Sequence, residues 1–385
     1  MVKQKIEDFC KTLGLDTIGF IPCRNFEELR DFYCYRKENK LQNEFEEKDI
    51  EKRINPNLSM EEGKTIISIA FPYYHNNDEE SGIEKYEETM SDEASNGEVT
   101  KSEASNHETS KDEATNHEEV NLEVKNPGEA NYQQDYSNEN NGFSIYTKRS
   151  DYHRVVNSYL SKICEYIESL GGKAKSFVDS NSLPERYIAY LAGIGFIGRN
   201  NMIITKKYGS YVFLGEIITD LEIECSDKRS FEEISEYKEC IVCERCIKEC
   251  PTKSINKTKI NPNICLSYIT QKKEISDKEI RLLKGNVFGC DFCQLKCPYN
   301  ENVETNVLKE FETLDYMNDD VSTFAAMDNK FFKEKISGTS CGWRGKNVIR
   351  RNAIIHMYNK GFDINQYKGD SEYINDYINR MLVEE

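Results

Sequence analysis

Eight cysteines in the second half of the chain have the types and spacing of metal-cluster ligands. The first run is Cys240-x2-Cys243-x2-Cys246-x3-Cys250-Pro251. Three thiolates at this spacing can surround one corner of a [4Fe–4S] cubane, and the fourth, placed on a new turn by its proline, points towards a second cluster. The run therefore predicts a protein that carries electrons.

A second run, Cys290-x2-Cys293-x3-Cys297-Pro298, has the same spacing but lacks its first cysteine, because Val287 stands there. Cys265 is the only nearby replacement. The crossed ligation of two-cluster ferredoxins then predicts the two ligand sets. The first cluster takes Cys240, Cys243, Cys246 and Cys297, and the second takes Cys250, Cys265, Cys290 and Cys293. A pair of zinc sites is the alternative, since CxxC pairs also bind zinc, but the two Cys-Pro endings favour iron–sulfur.

One carboxylate lies where a general acid could act. A short apolar strand is expected to lead into Asp179, and the glycine-rich segment 192–200 follows. Glycines at this density indicate that the backbone approaches another group closely. A carboxyl group at a strand end beside such a loop can protonate a substrate, whereas the alternative is that Asp179 caps a helix. The glycines do not follow the GxGxxG pattern, which argues against a nicotinamide-binding site.

Apolar patterns indicate the elements that must position these residues. The spacing of Ile6, Phe9, Cys10 and Leu13 predicts a helix that ends at Gly14, and a longer apolar stripe predicts a helix over 155–170. Short runs rich in β-branched residues predict strands. These strands are Thr17–Ile21, Thr65–Phe71, Ser176–Val178 and Tyr211–Ile218. The tail from about residue 300 is expected to be helical. Together the elements predict an α+β fold.

The charge of the chain is concentrated in one segment. The 385 residues carry a net charge of −17, but residues 76–140 hold 19 acidic residues against four lysines, which leaves −2 for the rest. A ten-residue repeat begins at Glu93, Glu103 and Glu113. Because this stretch is too polar to form a core, 76–141 is predicted to be a disordered insertion, with an acidic docking arm as the alternative. Such local acidity does not exclude a nucleic-acid partner.

The sequence shows no pattern typical of a secretory signal or a membrane span, and we therefore expect a cytoplasmic protein. The segment MVKQKIEDFC has no apolar stretch typical of a secretory signal. The longest apolar run is far shorter than the ~20 residues of a membrane span. The 14 cysteines therefore indicate metal or redox chemistry in the cytoplasm rather than disulfides. The six cysteines outside the two runs are expected to be ordinary reduced thiols: Cys10, Cys23, Cys34, Cys164, Cys225 and Cys341.

The sequence resembles the epoxyqueuosine reductase family, the iron–sulfur and cobalamin enzymes of queuosine biosynthesis. The resemblance covers nearly the whole chain outside the insertion. The motifs that carry it are Arg53-Ile-Asn-Pro56, Tyr146, Arg149-Ser-Asp-Tyr-His153, the block Val178–Asn200, Cys265-Leu-Ser-Tyr268 and Gly289-Cys-Asp-Phe-Cys-Gln294. Two positions depart from the usual pattern, because Arg199 replaces a lysine and Phe196 replaces a tryptophan.

The resemblance implies reduction of the epoxide of epoxyqueuosine, at the tRNA wobble position, to the alkene of queuosine. It implies that electrons pass through two [4Fe–4S] clusters to cobalamin and that Asp179 donates a proton. The positions that match the family's cobalamin contacts are Arg53, Tyr146, Asp179, Ile203, Leu214, Ser267 and Asp291. No histidine ligand to cobalt is expected: Asp151-x-His153 resembles the start of a D-x-H-x-x-G motif, but Val156 occupies the glycine position.

The expected organisation has three parts. Residues 1–225 form an N-terminal α/β cobalamin-binding catalytic domain with the insertion, 226–305 a ferredoxin-like domain for two clusters, and 306–385 a short HEAT-like helical segment. In the last part, Arg344, Lys346, Arg350 and Arg351 could meet phosphates, with a solvated helix face as the alternative.

The expected partners are tRNA carrying epoxyqueuosine and an external low-potential electron donor. The protein is expected to be a monomer without a membrane association. Two other functions are weighed. One is a corrinoid reductive dehalogenase, which uses the same cofactors, and the other is a ferredoxin-type electron carrier for a corrinoid enzyme. Neither alternative resembles the sequence around Asp179 as closely.

Overall fold

A four-stranded antiparallel sheet organises the first half of the chain in the computed structural model, which describes residues 2–75, 141–225, 229–256, 260–305 and 308–383. The strands are β1 (Ile18–Pro22), β2 (Thr65–Pro72), β3 (Ala174–Phe177), β4 (Phe196–Ile197), β5 (Ile203–Ile204) and β6 (Val212–Thr219). The sheet order is β1-β2-β6-β3, and β4 and β5 form a separate hairpin. The four strands predicted from the apolar runs are therefore confirmed.

The N-terminal part combines helices and strands, as expected, and its main sheet is antiparallel. Each pairing in the four-stranded sheet is antiparallel. A buried central strand such as β2, in which each of the eight residues is buried, has the same continuous apolar sequence whether its neighbours run parallel or antiparallel. The sequence pattern therefore predicted the strands but not their directions.

Helices cover both faces of this sheet. They are α1 (Val2–Thr12), α2 (Arg30–Glu38), α3 (Ile50–Ile54), α4 (Tyr152–Ser169) and α5 (Glu185–Leu191). The apolar stripe of α4 packs with α1 against one face, where Leu160 contacts the cluster around Ile69. Helix α5 packs on the other face, where Ile188 belongs to a cluster with Ile218. Burial on both faces is what makes β2 and β6 almost wholly apolar.

Short helices connect the cysteine runs. They are α6 (Phe231–Glu236), α7 (Arg245–Glu249), α8 (Leu266–Ile269), α9 (Asp277–Leu283) and α10 (Phe292–Leu295). The longest of them, α9, begins with a capping box in which Ser276 and Glu279 exchange side-chain and backbone hydrogen bonds. Cys246 and Cys293 lie within α7 and α10, and the other six cysteines of the two sets lie outside these five helices.

The C-terminal part is helical, as predicted, and shares a core with the cysteine-rich part. Its helices are α11 (Val321–Ala325), α12 (Asn329–Phe331), α13 (Lys346–Asn359) and α14 (Glu372–Leu382). Ile349 of α13 and Ile378 of α14 belong to one apolar cluster with Leu283 of α9. The division into three domains stays a prediction. Among the described residues, no helix is both long and apolar enough to cross a lipid bilayer.

Two predictions from the sequence can be compared with the structure at Asn141 and at Arg351. The predicted insertion lies outside the described residues except for Asn141, which is buried and donates hydrogen bonds to the carbonyls of Met317 and Asp319. The prediction that Arg351 meets phosphate is wrong, because its side chain is 1% exposed and donates to the carbonyls of Lys272 and Lys273.

Candidate active site

The first predicted cysteine set converges on one small cavity. Cys240, Cys243, Cys246 and Cys297 line it, and Cys250 does not. Burial and then the neighbouring Cys240, Cys297 and Cys243 raise the pKa of Cys246 to about 11. The thiol from the second run therefore lies among three from the first, as crossed ligation requires.

The second set is grouped in the same way. Burial and then Cys265 raise the pKa of Cys293, and Asp291, Cys246 and Cys250 contribute further in that order. Burial also raises the pKa of Cys290, and both Cys293 and Cys265 add to the effect. Cys265, which belongs to neither CxxC run, thus lies among the other three thiols. The eight thiols therefore fall into the two groups that crossed ligation predicts, and their role as cluster ligands stays a prediction.

The glycine-rich segment packs against its own hairpin and reaches both cysteine runs. A Cβ at Gly195 would lie 2.3 Å from the carbonyl oxygen of Ile204, so this close approach is internal to the protein. Arg199 Nε donates to the carbonyl of Cys240 at 3.3 Å, and Asn200 Nδ2 donates to that of Cys293 at 3.2 Å. The segment therefore ties the sheet domain to both ligand sets.

Asp179 follows β3 in a left-handed backbone conformation, with φ of 46°. Aspartate tolerates this region better than most residues, and such positions often occur at functional sites. Its Oδ2 accepts a hydrogen bond from Tyr152 Oη at 2.8 Å and lies 3.1 Å from His153 Nε2. The side chain is 57% exposed although protein surrounds it on most sides. It therefore stands in an open cleft. The helix-cap alternative is wrong, because Pro184 precedes α5 as its N-cap.

The electrostatics of this group differ from those that a lone buried acid would have. Burial by itself raises the pKa of Asp179, but hydrogen bonds from His153 and Tyr152 and the positive charge of His153 outweigh it, so the pKa lies below its usual value. Burial alone would have raised this pKa and kept a proton on the carboxyl group itself, and the neighbouring groups reverse that effect. Asp179 is an ionised carboxylate at neutral pH.

His153 holds the proton instead. Its Nδ1 lies 3.0 Å from Asp151 Oδ1, and Asp151 also caps α4 by accepting from the His153 backbone amide. Hydrogen bonds to Asp151 and then Asp179 raise the pKa of His153 to about 9. The Asp-x-His spacing that resembles part of a cobalt-binding motif thus serves to orient an imidazolium towards Asp179.

Four of the predicted cobalamin contacts approach this cleft. Burial, and after it the charges of Cys341, Asp291 and Asp179, raise the pKa of Tyr146. Asp291 Oδ2 accepts from the backbone amide of Ile145 at 2.7 Å. Arg53 acts on the cleft through Arg186, whose charge contributes to the lowered pKa of Asp179.

The other three contacts are placed differently. The side chain of Ile203 belongs to the apolar core, and the residue is only 3% exposed. A contact between Ile203 and a cofactor would therefore have to involve its backbone. Leu214 is half-buried on β6, and Ser267 follows the cluster ligand Cys265. Sequence reasoning assigned no role to Tyr152, His153 or Glu216, the last of which is fully buried beside the cleft. The signal for the first two was their position directly after Asp151.

Comparisons with known proteins show the family to which the chain is related. Residues 120–180 match the family described as epoxyqueuosine reductase QueG, DUF1730, and residues 239–300 match the 4Fe-4S double cluster binding domain. The epoxyqueuosine reductase of Lactococcus garvieae (strain Lg2) is 30% identical over 363 residues, which cover 93% of this chain and 87% of that protein. The chain belongs to the epoxyqueuosine reductase family. Its members are oxidoreductases, and the double-cluster match favours two [4Fe–4S] clusters over zinc.

Further members of the family give the same result. The enzyme of Bacillus anthracis is 32% identical over 364 residues, covering 92% of this chain and 80% of that protein. The solved epoxyqueuosine reductase of Streptococcus thermophilus is 26% identical, with a TM-score of 0.72 and coverage of 99% and 98% of the two chains. A crystal structure of an epoxyqueuosine reductase with an epoxyqueuosine-modified tRNA stem loop has a TM-score of 0.75 at 26% identity, with coverage of 99% and 90%.

Proposed function

We propose that the chain reduces the epoxide of epoxyqueuosine at the tRNA wobble position to the alkene of queuosine, with Asp179 as the group that delivers protons. One observation carries the proposal: Asp179, Tyr152 and His153 face an open cleft that Tyr146 and Asp291 join to the second cysteine set. Two solved relatives support it, because one holds an epoxyqueuosine-modified tRNA stem loop and another has its catalytic aspartate loop swung out of the active site.

The reaction sets a clear requirement for protons. Converting an epoxide to an alkene breaks both C–O bonds, forms the C=C bond and releases the oxygen as water. The balance is two electrons and two protons. Asp179 is the carboxylate at the cleft. His153 carries a proton next to Oδ2 of Asp179. A proton that moves from Nε2 of His153 to Asp179 is then available to the departing oxygen. General acid catalysis of this kind typically contributes ~10²–10⁴ in rate.

The cleft residues fit cobalamin. The Nε of Arg53 is buried and has no hydrogen-bond partner among the described residues, while its Nη2 donates to Tyr33 Oη at 2.8 Å. A polar acceptor in the cleft would satisfy this donor. The residues that would hold the group are Arg53, Tyr146, Asp179, Leu214, Ser267 and Asp291 through side chains, and Ile203 through its backbone. Bound cobalamin supplies the low-potential electron pair that the epoxide carbon needs.

The position of Asp291 indicates which of the two clusters would lie next to the cleft. Asp291 lies between the cluster ligands Cys290 and Cys293 and bonds to the segment that holds Tyr146. The second cluster is therefore the one beside the cleft, and electrons from an external low-potential donor enter through the first. Since the substrate is tRNA, we propose a cytoplasmic protein, and we propose that it acts as a monomer.

Anaerobic reconstitution tests the proposal. The protein, loaded with both clusters and cobalamin and reduced chemically, is incubated with tRNA carrying epoxyqueuosine, and the nucleosides are then analysed. We expect queuosine to form in stoichiometric excess over enzyme. Protein loaded with clusters alone is the matched control and should form none. Absence of queuosine from the fully loaded protein would contradict the proposal, and turnover of organohalides instead would support the dehalogenase alternative.

A further inference from the structure

Two carboxyl groups behind Asp179, the buried Glu216 and the half-buried Glu185, have no part in the chemistry described so far. Glu216 is at the centre of the sheet, where it pairs with Ser68 on β2 and with Phe177 on β3. Its side chain is 0% exposed. A carboxylate at such a position costs several kcal/mol of desolvation free energy unless it is paired or protonated. Among the described residues, Glu216 forms no ion pair with a lysine, arginine or histidine.

One carboxyl oxygen of Glu216 lacks a hydrogen-bond donor among the described residues. Ser68 Oγ donates to Oε1 at a long 3.4 Å. Within the described part of the chain, Oε2 has no hydrogen-bond donor, and the group it meets is the carboxyl of Glu185. Two ionised carboxylates repel each other, so this contact is a hydrogen bond only when one of the two carries a proton.

Glu185 connects this contact to the cleft. It is the first residue of α5, its Oε1 accepts from Asn181 Nδ2 at 2.8 Å, and it also accepts from the backbone of Asp179. The Asn181 amide in turn donates to the Asp179 carbonyl at 2.7 Å. Glu185 is thus the link between the buried Glu216 and the loop that carries Asp179.

The charges around the pair favour one retained proton. Desolvation, and then the negative charge of Asp179, raise the pKa of Glu185 to about 7. Desolvation and then Glu185 raise the pKa of Glu216 well above its usual value. Arg186 on α5 acts in the opposite direction on Glu185. Tyr152 faces it from α4, where burial and then the negative charge of Asp179 raise the pKa of Tyr152.

We propose that Glu185 and Glu216 hold one shared proton behind Asp179 and return it to Asp179 as the second proton of the reduction. The inference rests on the proposed function, because that reaction consumes two protons and the His153–Asp179 pair holds one. Once a nucleotide fills the cleft, bulk water no longer reaches Asp179 freely. Its Oδ2 is occupied by Tyr152 and His153, so the proton from Glu185 arrives at Oδ1. The oxygen then leaves as water, and the pair is left with two negative charges until it takes up a proton again.

An infrared measurement tests the shared proton without any turnover. Loaded protein is titrated between pH 5 and 9, in light and heavy water, and the carbonyl stretch of protonated carboxylic acids is followed. The wild-type protein should show one such band at pH 6, and the band should weaken as rising pH deprotonates the pair. Glu216→Gln and Glu185→Gln should each lack it. Glu28→Gln is the matched control and should keep it, because Glu28 is a half-buried carboxylate whose pKa is lowered by Arg24 and Tyr187 despite its desolvation.

A pH profile separates a proton store from a structural role. In single turnovers on tRNA, Glu216→Gln should be slower than wild type on the order of tenfold at pH 6, which is less than the ~10²–10⁴ of a direct acid. The two rates should converge as the pH rises far enough for the wild-type pair to lose its proton as well. An equal loss at each pH would overturn the proposal in favour of a structural role. So would an acid band that persists in both Gln variants.

The two proposals fail in different ways. If the loaded protein forms no queuosine, the proposed function is wrong, whereas the infrared result still decides whether the pair holds a proton. If Glu216→Gln does not fold, Glu185→Gln still gives both readouts, because Glu185 lies at the end of α5 rather than in the sheet.

Discussion

Asp179 and His153 form an ion pair across the open cleft, with 3.1 Å between Oδ2 of the carboxylate and Nε2 of the imidazole. The pKa of His153 is raised to about 9 and that of Asp179 is lowered. At neutral pH the proton therefore resides on the imidazole, and the carboxylate is the place to which it moves. The two residues therefore share one proton, and a substitution at either residue should impair its delivery to the substrate.

Asp179→Asn should abolish proton delivery while it preserves the local packing. The amide can still accept from Tyr152, but it cannot carry a proton to the substrate oxygen. We expect turnover to fall by ~10²–10⁴, with cobalamin and iron content unchanged, as measured by absorbance and metal analysis. Normal turnover would assign the acid to another group. Loss of cobalamin would show that Asp179 is chiefly a binding residue.

His153→Gln should change the pH dependence of the reaction. In the wild-type protein the rate should decline as pH rises through about 9, because His153 then loses its proton. The variant cannot titrate there, so this decline should be absent, and its rate near pH 7 should be lower on the order of a hundredfold. A variant that keeps the wild-type decline would show that another group is responsible for it.

The same substitution has a consequence for stability. The pKa of His153 in the folded protein lies above the ~6.5 of an unfolded chain. Its stabilising effect is therefore fully present below pH ~6.5 and is lost as pH rises through about 9. The melting temperatures of the wild type and of His153→Gln should differ most at pH 6 and converge above pH 9. Divergence towards alkaline pH would contradict the assigned ion pair.

The sequence predicted the strand that leads to Asp179, because an apolar run before a loop is a local pattern. The two ligand sets stay a prediction. The sequence could not predict the state of Asp179, because that depends on Tyr152 and His153, which lie 27 and 26 residues away in sequence. Glu216 was hidden for a similar reason: its partners come from a neighbouring strand and from α5. The direction of strand pairing was also missed, since buried strands of either kind have the same apolar pattern.

Cys265→Ser should damage the second cluster although Cys265 lies outside both CxxC runs. Its thiol is grouped with those of Cys250, Cys290 and Cys293. Iron content should fall from about eight per chain towards about four, with a changed electron paramagnetic resonance spectrum. Cys164→Ser is the control, because this half-buried thiol on α4 lies away from both sets. Full iron content and an unchanged spectrum in the Cys265 variant would refute the assignment.

Asn352→Ala should loosen the C-terminal helices from the cysteine-rich part. Asn352 on α13 is 0% exposed, and its Nδ2 donates to the carbonyls of Thr270 and Val287 at 2.8 and 2.7 Å. Its loss leaves two buried acceptors unsatisfied, at about 1–3 kcal/mol each. The free energy of unfolding in urea should fall by a few kcal/mol. An unchanged midpoint would mean that water replaces the amide.

Val242→Glu should slow electron entry without disturbing the clusters. Ile241 and Val242 lie between the ligands Cys240 and Cys243 and are 64% and 95% exposed. Two adjacent exposed apolar side chains beside the first cysteine set are a suitable contact surface for a small redox protein. A carboxylate at this position would repel an acidic electron donor. With reduced flavodoxin as the probe, cluster reduction should slow on the order of tenfold, whereas reduction by dithionite should be unchanged, since dithionite needs no docking surface.

The control for this prediction is Val383→Glu, which adds the same charge at a residue that is 84% exposed near the C-terminal end of α14. Its reduction by flavodoxin should match the wild type, because the substitution lies outside the cluster turns. Equal slowing of both variants would mean that net charge, rather than the turn between Cys240 and Cys243, governs the encounter. Slowing by dithionite as well would mean that Val242→Glu has damaged the cluster itself. Only selective slowing at Val242 supports entry of electrons at the first cluster, with the second then lying between it and the Asp179 cleft.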